Sequence, residues 1–473
     1  SYYHGNAISV ATPGALKYMV SQFPSITLQA SGPLVGLTWG EMGNSEVGHL
    51  NIGAGRIVGQ DLPRITDAIS TGDFFKNPVL LGAVNHAIKN KSRLHLIGMI
   101  SPGGVHSLDQ HLYALLGLAQ KHGLQEVYIH MFTDGRDTDE KIAIESVRKV
   151  KEKITEIGAG QIATITGRFY AMDRGKHWDQ TEMTFQALVN GEGKSCISAE
   201  QCILDNYSQN IFDEMIPPSV IVQVDPATQE KLPVAKISSN DAVIFFNFRS
   251  DRALQLTQAF VRPEVMDIAN KHSPLENLYF VTMTEYFFGL PVNVVFPSHN
   301  LDNNLAEVIS ASGLSQYHIA ESEKYAHVTS FFNGGLSQAL KGEERYIVTS
   351  PSNSKNYSDK PEMSAPELAQ ALIDKILHSD HSLFVANFAN PDMVGHTGNF
   401  ESAVKAVHCI DLLLQQIMEA VLQVDAALII TADHGNIEQM INPHTGQIDK
   451  DHSTSPVPFI LIANQFRYEK SLQ

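Results

Sequence analysis

The sequence predicts an α/β protein made of two α/β domains, and three observations carry that prediction. Apolar runs of strand length alternate with amphipathic helical runs over most of the chain. The 473 residues exceed what one hydrophobic core usually supports. Polar, chemistry-bearing clusters fall where predicted strands end, which is where open α/β sheets place their sites.

Taken in order, Pro13 to Val20 has the pattern of a short helix with proline in its first turn. A polar stretch then leads to Met42-Gly43-Asn44-Ser45-Glu46-Val47-Gly48-His49 and a short helical run to Ile52. From residue 78 the alternation is regular: helix 79–89, strand 94–100, helix 108–122, strand 126–132, helix 139–157, strand 161–166, helix 180–189, strand 242–248, helix 252–260 and strand 278–283. Segment 191–237, with Pro217-Pro218 and several polar runs, reads as surface loops and short strands. Gly289-Leu290-Pro291 marks a boundary. Beyond it come helix 301–312, strands 316–320 and 345–349, helix 365–378, strand 383–388, helix 400–421, and strands 426–432 and 458–463.

Apolar residues at 43% and charged residues at 18% describe a globular chain rather than a disordered one. A formal net charge of −17 disfavours non-specific binding to nucleic acid or an anionic membrane, so an anionic substrate needs a local cluster of Arg and Lys. Cys196, Cys202 and Cys409 form neither a disulfide framework nor a CxxC metal pair, which suits packing residues in a reducing compartment. No apolar run has the length of a membrane span, and residues 1–6 carry no secretory pattern. A cytoplasmic protein is expected.

Ser45 lies among small and polar neighbours and is the candidate nucleophile. A serine hydroxyl is barely ionised at neutral pH, so it needs a base or a metal ion to activate it. The same stretch has a plainer reading, in which Asn44 or Ser45 only caps the helix that follows. Two later strand ends bear on the choice. Strand 383–388 leads into Asn390-Pro391-Asp392-Met393-Val394-Gly395-His396, and strand 426–432 into Asp433-His434-Gly435-Asn436. Asp392 and His396, four apart, fall on one face of a helical turn, and His452 lies just before the last strand. Carboxylate and imidazole together suit Zn²⁺ or Mn²⁺ better than Ca²⁺ or Mg²⁺. One histidine among 20 usually just makes a hydrogen bond, so the recurrence of Asp with His at two strand ends is what points to metal.

A second group also gathers at strand ends: His106 after Ser101-Pro102-Gly103-Gly104-Val105, Arg136 and Asp137 in Asp134-Gly135-Arg136-Asp137, Arg168 and Arg174, then Arg249 and Arg252. Only 34 Lys and Arg are available, and guanidinium groups match phosphate and carboxylate oxygens in pairs, so a small substrate with both groups fits. The alternative is that each arginine pairs with a neighbour such as Asp173 or Asp251.

Together these stretches resemble the cofactor-independent phosphoglycerate mutase family of the alkaline phosphatase superfamily. The resemblance rests on ordered motifs over nearly the whole chain: Met42 to Arg56, Gly103 to Ser107, Asp134 to Asp137, Gly167 to Lys176, Asn247 to Arg252, Glu321 to Tyr325, Asn390 to His396 and Thr431 to Asn436. It implies an alkaline-phosphatase-like metal-binding domain of residues 1–60 and 292–473, with a second α/β domain, residues 61–291, inserted to bind phosphoglycerate. It also implies two divalent metal ions, Mn²⁺ by preference, and no bisphosphoglycerate. Asp392, His396 and His452 would hold one ion; Ser45, Asp433 and His434 would share the other.

By the same resemblance, the phosphoryl group of 3-phosphoglycerate passes to Ser45, glycerate reorients, and its other hydroxyl takes the group back to give 2-phosphoglycerate. This is a step of glycolysis and gluconeogenesis. Lys324 would stabilise the phosphoryl oxygens. Arg249 and Arg252 would bind the phosphate, and His106, Arg136, Asp137, Arg168 and Arg174 the glycerate, with Asp137 accepting its proton. A monomer acting on a small molecule, without nucleic-acid or membrane partners, is expected. Keeping water from the phosphoserine requires closure, which places mobility near residues 59–62 and 288–293. The family pattern also has a strand ending in Asp-Gly whose aspartate ligates the second ion. Residues 1–40 contain no aspartate or glutamate to replace it, so residues upstream of Ser1, and a closing helix beyond Gln473, are expected in the natural chain. Two other readings stay open: a metal-dependent phosphatase of the same superfamily, and a catalytically inert chain that binds phospho-acids.

Overall fold

The computed structural model describes residues 4–266, 275–298, 301–351, 357–443 and 445–468. The chain divides into two units: unit 1, Ser1–Gln60 with Asn300–Gln473, and unit 2, Asp61–His299. In chain order the strands are β1 Ser25–Leu28, β2 Leu94–Met99, β3 Val127–Thr133, β4 Gln161–Gly167, β5 Lys194–Cys196, β6 Ser219–Val224, β7 Lys231–Pro233 and β8 Ala242–Phe245. They continue with β9 Tyr279–Thr284, β10 Asn293–Phe296, β11 Gln316–Glu321, β12 Glu343–Val348, β13 Leu383–Asn387, β14 Leu428–Thr431 and β15 Val457–Ile462.

Unit 2 holds one sheet of order β10-β9-β8-β2-β3-β4-β6-β5, with β7 paired to β6. It is parallel from β10 through β4, as strands separated by crossover helices require. Both faces are covered, so its inner strands are apolar throughout. In β2, Leu94 and Leu96 join one core and Ile97 and Met99 the other. Helices Pro78–Asn90, Asp109–Lys121 and Ala143–Ile157 pack on the first face, Trp178–Val189 and Leu254–Val261 on the second.

Unit 1 holds two three-stranded sheets, β12-β11-β13, all parallel, and β1-β15-β14, all antiparallel. One helix, Phe400–Gln423, serves both. Its stripe Leu413, Ile417 and Val421 packs with Tyr317 and Ile319 of β11, while the adjacent Leu414 and Met418 pack with Ile460 and Ile462 of β15. Asp411 of the same helix accepts hydrogen bonds from the Ala15 and Leu16 N–H groups at the start of helix Gly14–Gln22, where a carboxylate satisfies free donors. Strands β13 and β14 are each paired on one side only among the described residues, and Ile429 of β14 is 55% exposed.

Two expectations need correction. Segment 191–237 holds the expected short strands and an exposed stretch, but part of it is helical and part enters the core. Ser198 caps helix Ala199–Tyr207, whose Ala199, Cys202 and Ile203 recur at helical spacing and enter the main core, and β6 is buried along its first four residues. The return to unit 1 also falls later than residue 292, because β10 pairs with β9 and so stays in unit 2. Among the described residues, no helix is long and apolar enough to cross a membrane.

Candidate active site

In unit 1, helix Ser45–Ala54 is capped by Asn44, whose Oδ1 accepts from the Val47 N–H at 2.9 Å. Asn44 takes the capping role, which leaves the buried Ser45 side chain to the site. Gly48 lets this helix lie directly on Asp433: a Cβ there would come within 2.5 Å of the Asp433 carbonyl oxygen. Lys324, buried in the turn Ser322–Lys324 after β11, donates to Ser45 Oγ at 2.7 Å and to Asp392 Oδ2 at 2.5 Å. His434 Nε2 lies 2.9 Å from the same Ser45 Oγ. Burial holds His434 below the usual histidine value, so its ring is neutral near pH 7.

Asp392 and His396 belong to the helical turn Asn390–Gly395 and its cap, and their side chains meet as the four-residue spacing requires, with Nε2 of His396 3.2 Å from Oδ1 of Asp392. His452 Nε2 is 3.3 Å from the same oxygen and 3.1 Å from His396 Nε2. The Nδ1 of His396 donates to the Lys450 carbonyl and that of His452 to the Gly43 carbonyl, both at 2.7 Å. Tying Nδ1–H to a carbonyl turns each Nε2 lone pair inward, the orientation metal-ligating histidines take. Two ring nitrogens facing each other at this range repel unless a proton or a cation lies between them. The residues therefore fit a divalent ion of the kind that takes mixed nitrogen and oxygen ligands. Burial alone would raise the Asp392 carboxyl, but the close contacts with His396 and His452 and the Lys324 charge hold it far below the carboxylate range. Asp433 is partly buried and is also held low, through His49, His434 and Lys324. Its Oδ2 lies 3.6 Å from His434 Nε2.

In unit 2, Asp134 follows β3 and accepts from the backbone N–H of Arg136 and Asp137, which folds the Asp134-Gly135-Arg136-Asp137 turn around its carboxylate. Gly135 takes φ +71° here, and a Cβ would meet Glu214 N at 2.7 Å. Arg168, 2% exposed, bridges Asp134 at 2.6 Å and Asp137 at 2.5 Å and donates to His106 Nε2 at 3.0 Å. Burial and the neighbouring Arg168 and Arg249 lower His106 to about 4, so it accepts that bond as a neutral ring. Arg174 and Arg249 both pair with Asp251, at 2.6 and 3.1 Å. Arg252 donates to the Met172 carbonyl and forms no ion pair among the described residues. Burial and the nearby Arg168, Arg174 and Arg136 lower its pKa, as for a cation with an unmet demand for an anion. Arg136 is more exposed and reaches Glu214 only at 3.5 Å. Asp251 thus pairs with two of the arginines, while Arg252 pairs with no carboxylate among the described residues.

The sequence reading passed over three residues in these clusters. Asn436 donates to Asp392 Oδ1 at 2.7 Å, Asp134 anchors Arg168, and His49 contacts both Ser45 and Asp433. Asn436 and Asp134 sit inside motifs already singled out. His49 is four residues past Ser45, a spacing that puts it beneath the serine on one helix face.

A serine flanked by a lysine, an imidazole and converging nitrogen and oxygen donors, carried on α/β sheets, defines an enzyme that handles an anionic group. A family model described as BPG-independent PGAM N-terminus (iPGM_N) matches residues 65–287. The chain is 45% identical over 469 residues to the 2,3-bisphosphoglycerate-independent phosphoglycerate mutase of Clostridioides difficile (strain 630), covering 99% of this chain and 90% of the relative. It is 47% identical over 461 residues to 2,3-bisphosphoglycerate-independent phosphoglycerate mutase 1 of Methanosarcina barkeri, covering 97% and 88%. Among solved structures it resembles Leishmania mexicana phosphoglycerate mutase, crystallised at low cobalt concentration, with a TM-score of 0.63 and 28% identity over 97% of this chain and 86% of that one. The chain belongs to the 2,3-bisphosphoglycerate-independent phosphoglycerate mutase family, whose members are isomerases.

Proposed function

We propose that this protein interconverts 3-phosphoglycerate and 2-phosphoglycerate, in cytoplasmic glycolysis and gluconeogenesis, by passing the phosphoryl group through Ser45. The observation that carries this reading is the convergence of Lys324 on both Ser45 Oγ and Asp392, with His434 at the same hydroxyl. Unit 1 is the metal-binding, phosphatase-like part and unit 2 the phosphoglycerate-binding part. Asp392, His396 and His452 would hold one divalent ion, and Ser45, Asp433 and His434 the other, with Mn²⁺ the preferred metal. When bound, such ions neutralise phosphoryl oxygens and lower the pKa of a serine hydroxyl.

Ser45 Oγ forms a bond to phosphorus as the bond from phosphorus to the substrate oxygen breaks, and the reverse exchange onto the other glycerate hydroxyl releases product. Lys324 supplies a fixed positive charge at the phosphoryl oxygens. Arg252 and Arg249 meet the phosphate of the arriving substrate. His106, Arg136, Arg168 and Arg174 hold the glycerate carboxylate and hydroxyls, and Asp137 takes the proton of the hydroxyl that attacks phosphoserine. The reading needs no bisphosphoglycerate, because the serine stores the group between the two exchanges.

The test is conversion of 3-phosphoglycerate by the Mn²⁺-loaded chain with no bisphosphoglycerate present. Formation of 2-phosphoglycerate is expected, and Ser45→Ala should cut turnover by at least about 10⁴-fold while bound metal stays near the wild-type level. Retained turnover in Ser45→Ala would rule out the phosphoserine route. Phosphate release without isomer would replace the mutase with a phosphatase.

A further inference from the structure

His49 is buried in helix Ser45–Ala54, one turn after the serine. Its Nδ1 lies 2.8 Å from the Ser45 carbonyl oxygen and 3.3 Å from Asp433 Oδ2. Both are acceptors only, so the proton must sit on Nδ1. Its Nε2 lies 3.1 Å from Asn387 Nδ2, at the end of β13. An amide N–H donates, so Nε2 keeps its lone pair. This is the reverse of His396 and His452, whose Nδ1–H groups are spent on backbone carbonyls and whose Nε2 atoms face the cluster. His49 turns Nε2 away from the cluster and is no ligand. Its ring joins the serine helix, the end of β13 and the segment after β14, three elements that share no strand pairing.

We infer that His49 is a positioning residue: with its proton on Nδ1 and its Nε2 fixed by Asn387, it holds the Asp433 carboxylate and the Ser45 backbone where both can meet a divalent ion. The inference rests on the metal-binding reading of Ser45, Asp433 and His434. An outer partner of this kind fixes the direction of a ligand carboxylate without touching the ion.

The test exploits the shapes of two amides. An asparagine side chain places its N–H where imidazole Nδ1 lies, and a glutamine where Nε2 lies. Mn²⁺ is titrated calorimetrically into the metal-free full chain carrying His49→Asn or His49→Gln. His49→Gln should weaken one Mn²⁺ binding event by about 10- to 100-fold, and His49→Asn by no more than about threefold. Equal affinities in the two variants, or wild-type affinity in His49→Gln, would overturn the inference. Asp433→Ala serves as the control, since it should lose that binding event altogether. If Asp433→Ala binds Mn²⁺ as the wild type does, the metal-site reading has failed instead. Should neither His49 variant fold, ring-nitrogen NMR of the wild-type chain decides: a proton on Nδ1 alone supports the inference, and a proton on Nε2 overturns it.

Discussion

In unit 2, strand β3 runs into Asp134; in unit 1, strand β11 ends in Glu321. Both follow inner strands of parallel ladders, and both carboxyls are buried. Asp134 accepts from Ser101 Oγ at 2.7 Å, from Arg168 and from two backbone N–H groups, and although burial opposes them, these bonds hold it below the carboxylate range. Glu321 accepts from the Ser364 N–H through Oε1, and burial pushes it up to about 7 against the opposing pull of that N–H and of the Ser350 hydroxyl. One acid is an anion that organises the Asp134-Gly135-Arg136-Asp137 turn, while burial holds back the ionisation of the other. The surrounding sheets differ in the same sense. Strand β2 is buried along its whole length, whereas β13 and β14 keep a half-exposed edge. Unit 1 thus carries its site on strands less buried than β2.

The comparison breaks most visibly at Asp134. Asp134→Asn keeps the acceptor for the turn but removes the charge opposite the buried Arg168, and losing one partner of a buried pair costs about 3–5 kcal/mol. Asp137 still pairs with Arg168, so the lower end is expected in denaturant unfolding at pH 7. Because the folded-state pKa is depressed, this contribution is present above the unfolded value and is lost as pH falls through the folded one. The variant and the wild type should therefore converge on acidification. An Asp134→Asn chain as stable as wild type at pH 7 would mean that Asp134 does not anchor the turn.

Glu321 predicts the opposite sign with an effect of similar size. Its folded-state pKa of about 7 lies above the ordinary 4.5. Below the lower value both states are protonated and the site costs nothing. As pH rises between the two values, only the unfolded state releases its proton, so wild-type stability falls, and the loss is complete above 7. Glu321→Gln escapes it. The variant should match the wild type near pH 4 and exceed it by about 3 kcal/mol at pH 8, at 1.36 kcal/mol per pKa unit. Equal stability at pH 8 would show that Glu321 finds partners enough to ionise.

How much of this was legible in the sequence depends on whether the signal is local. The parallel sheet of unit 2 could be read because apolar runs and helical periods alternate there, and Asp392 with His396 because a four-residue spacing on a helical turn is a local fact. The split of unit 1 into two ladders was not legible, since nothing in the period of Val457–Ile462 says that β15 runs antiparallel to both neighbours. Strand β10 has four residues just past Pro291, and only its pairing to β9 assigns it to unit 2. Helix Ala199–Tyr207 could have been found from the Ser198 cap and its apolar spacing, but the polar residues around it masked the pattern. Among the site residues, His49 meets Asn387, 338 positions away, a contact no motif records. For the arginines, charge count alone could not separate Arg174 and Arg249, which share Asp251, from Arg252, which pairs with no carboxylate among the described residues.

The smallest effect separates capping from chemistry. Asn44 caps the serine helix of unit 1 through Val47 N–H, and Ser198 caps helix Ala199–Tyr207 of unit 2 through Gln201 N–H at 3.2 Å. As caps alone they are equivalent, and alanine at either should cost about 1 kcal/mol. Asn44 also fixes the first turn, where Ser45 meets Lys324 and His434. A nucleophile displaced by about 1 Å can lose on the order of 10²-fold in rate. Asn44→Ala should therefore lower kcat well beyond what its melting shift accounts for, Asn44→Asp should restore both, and Ser198→Ala should leave kcat unchanged at a similar melting shift. Equal kcat in the two alanine variants would make Asn44 a cap and nothing more, and Ser45 would then owe its position to the contacts with Lys324 and His434 rather than to the start of its helix.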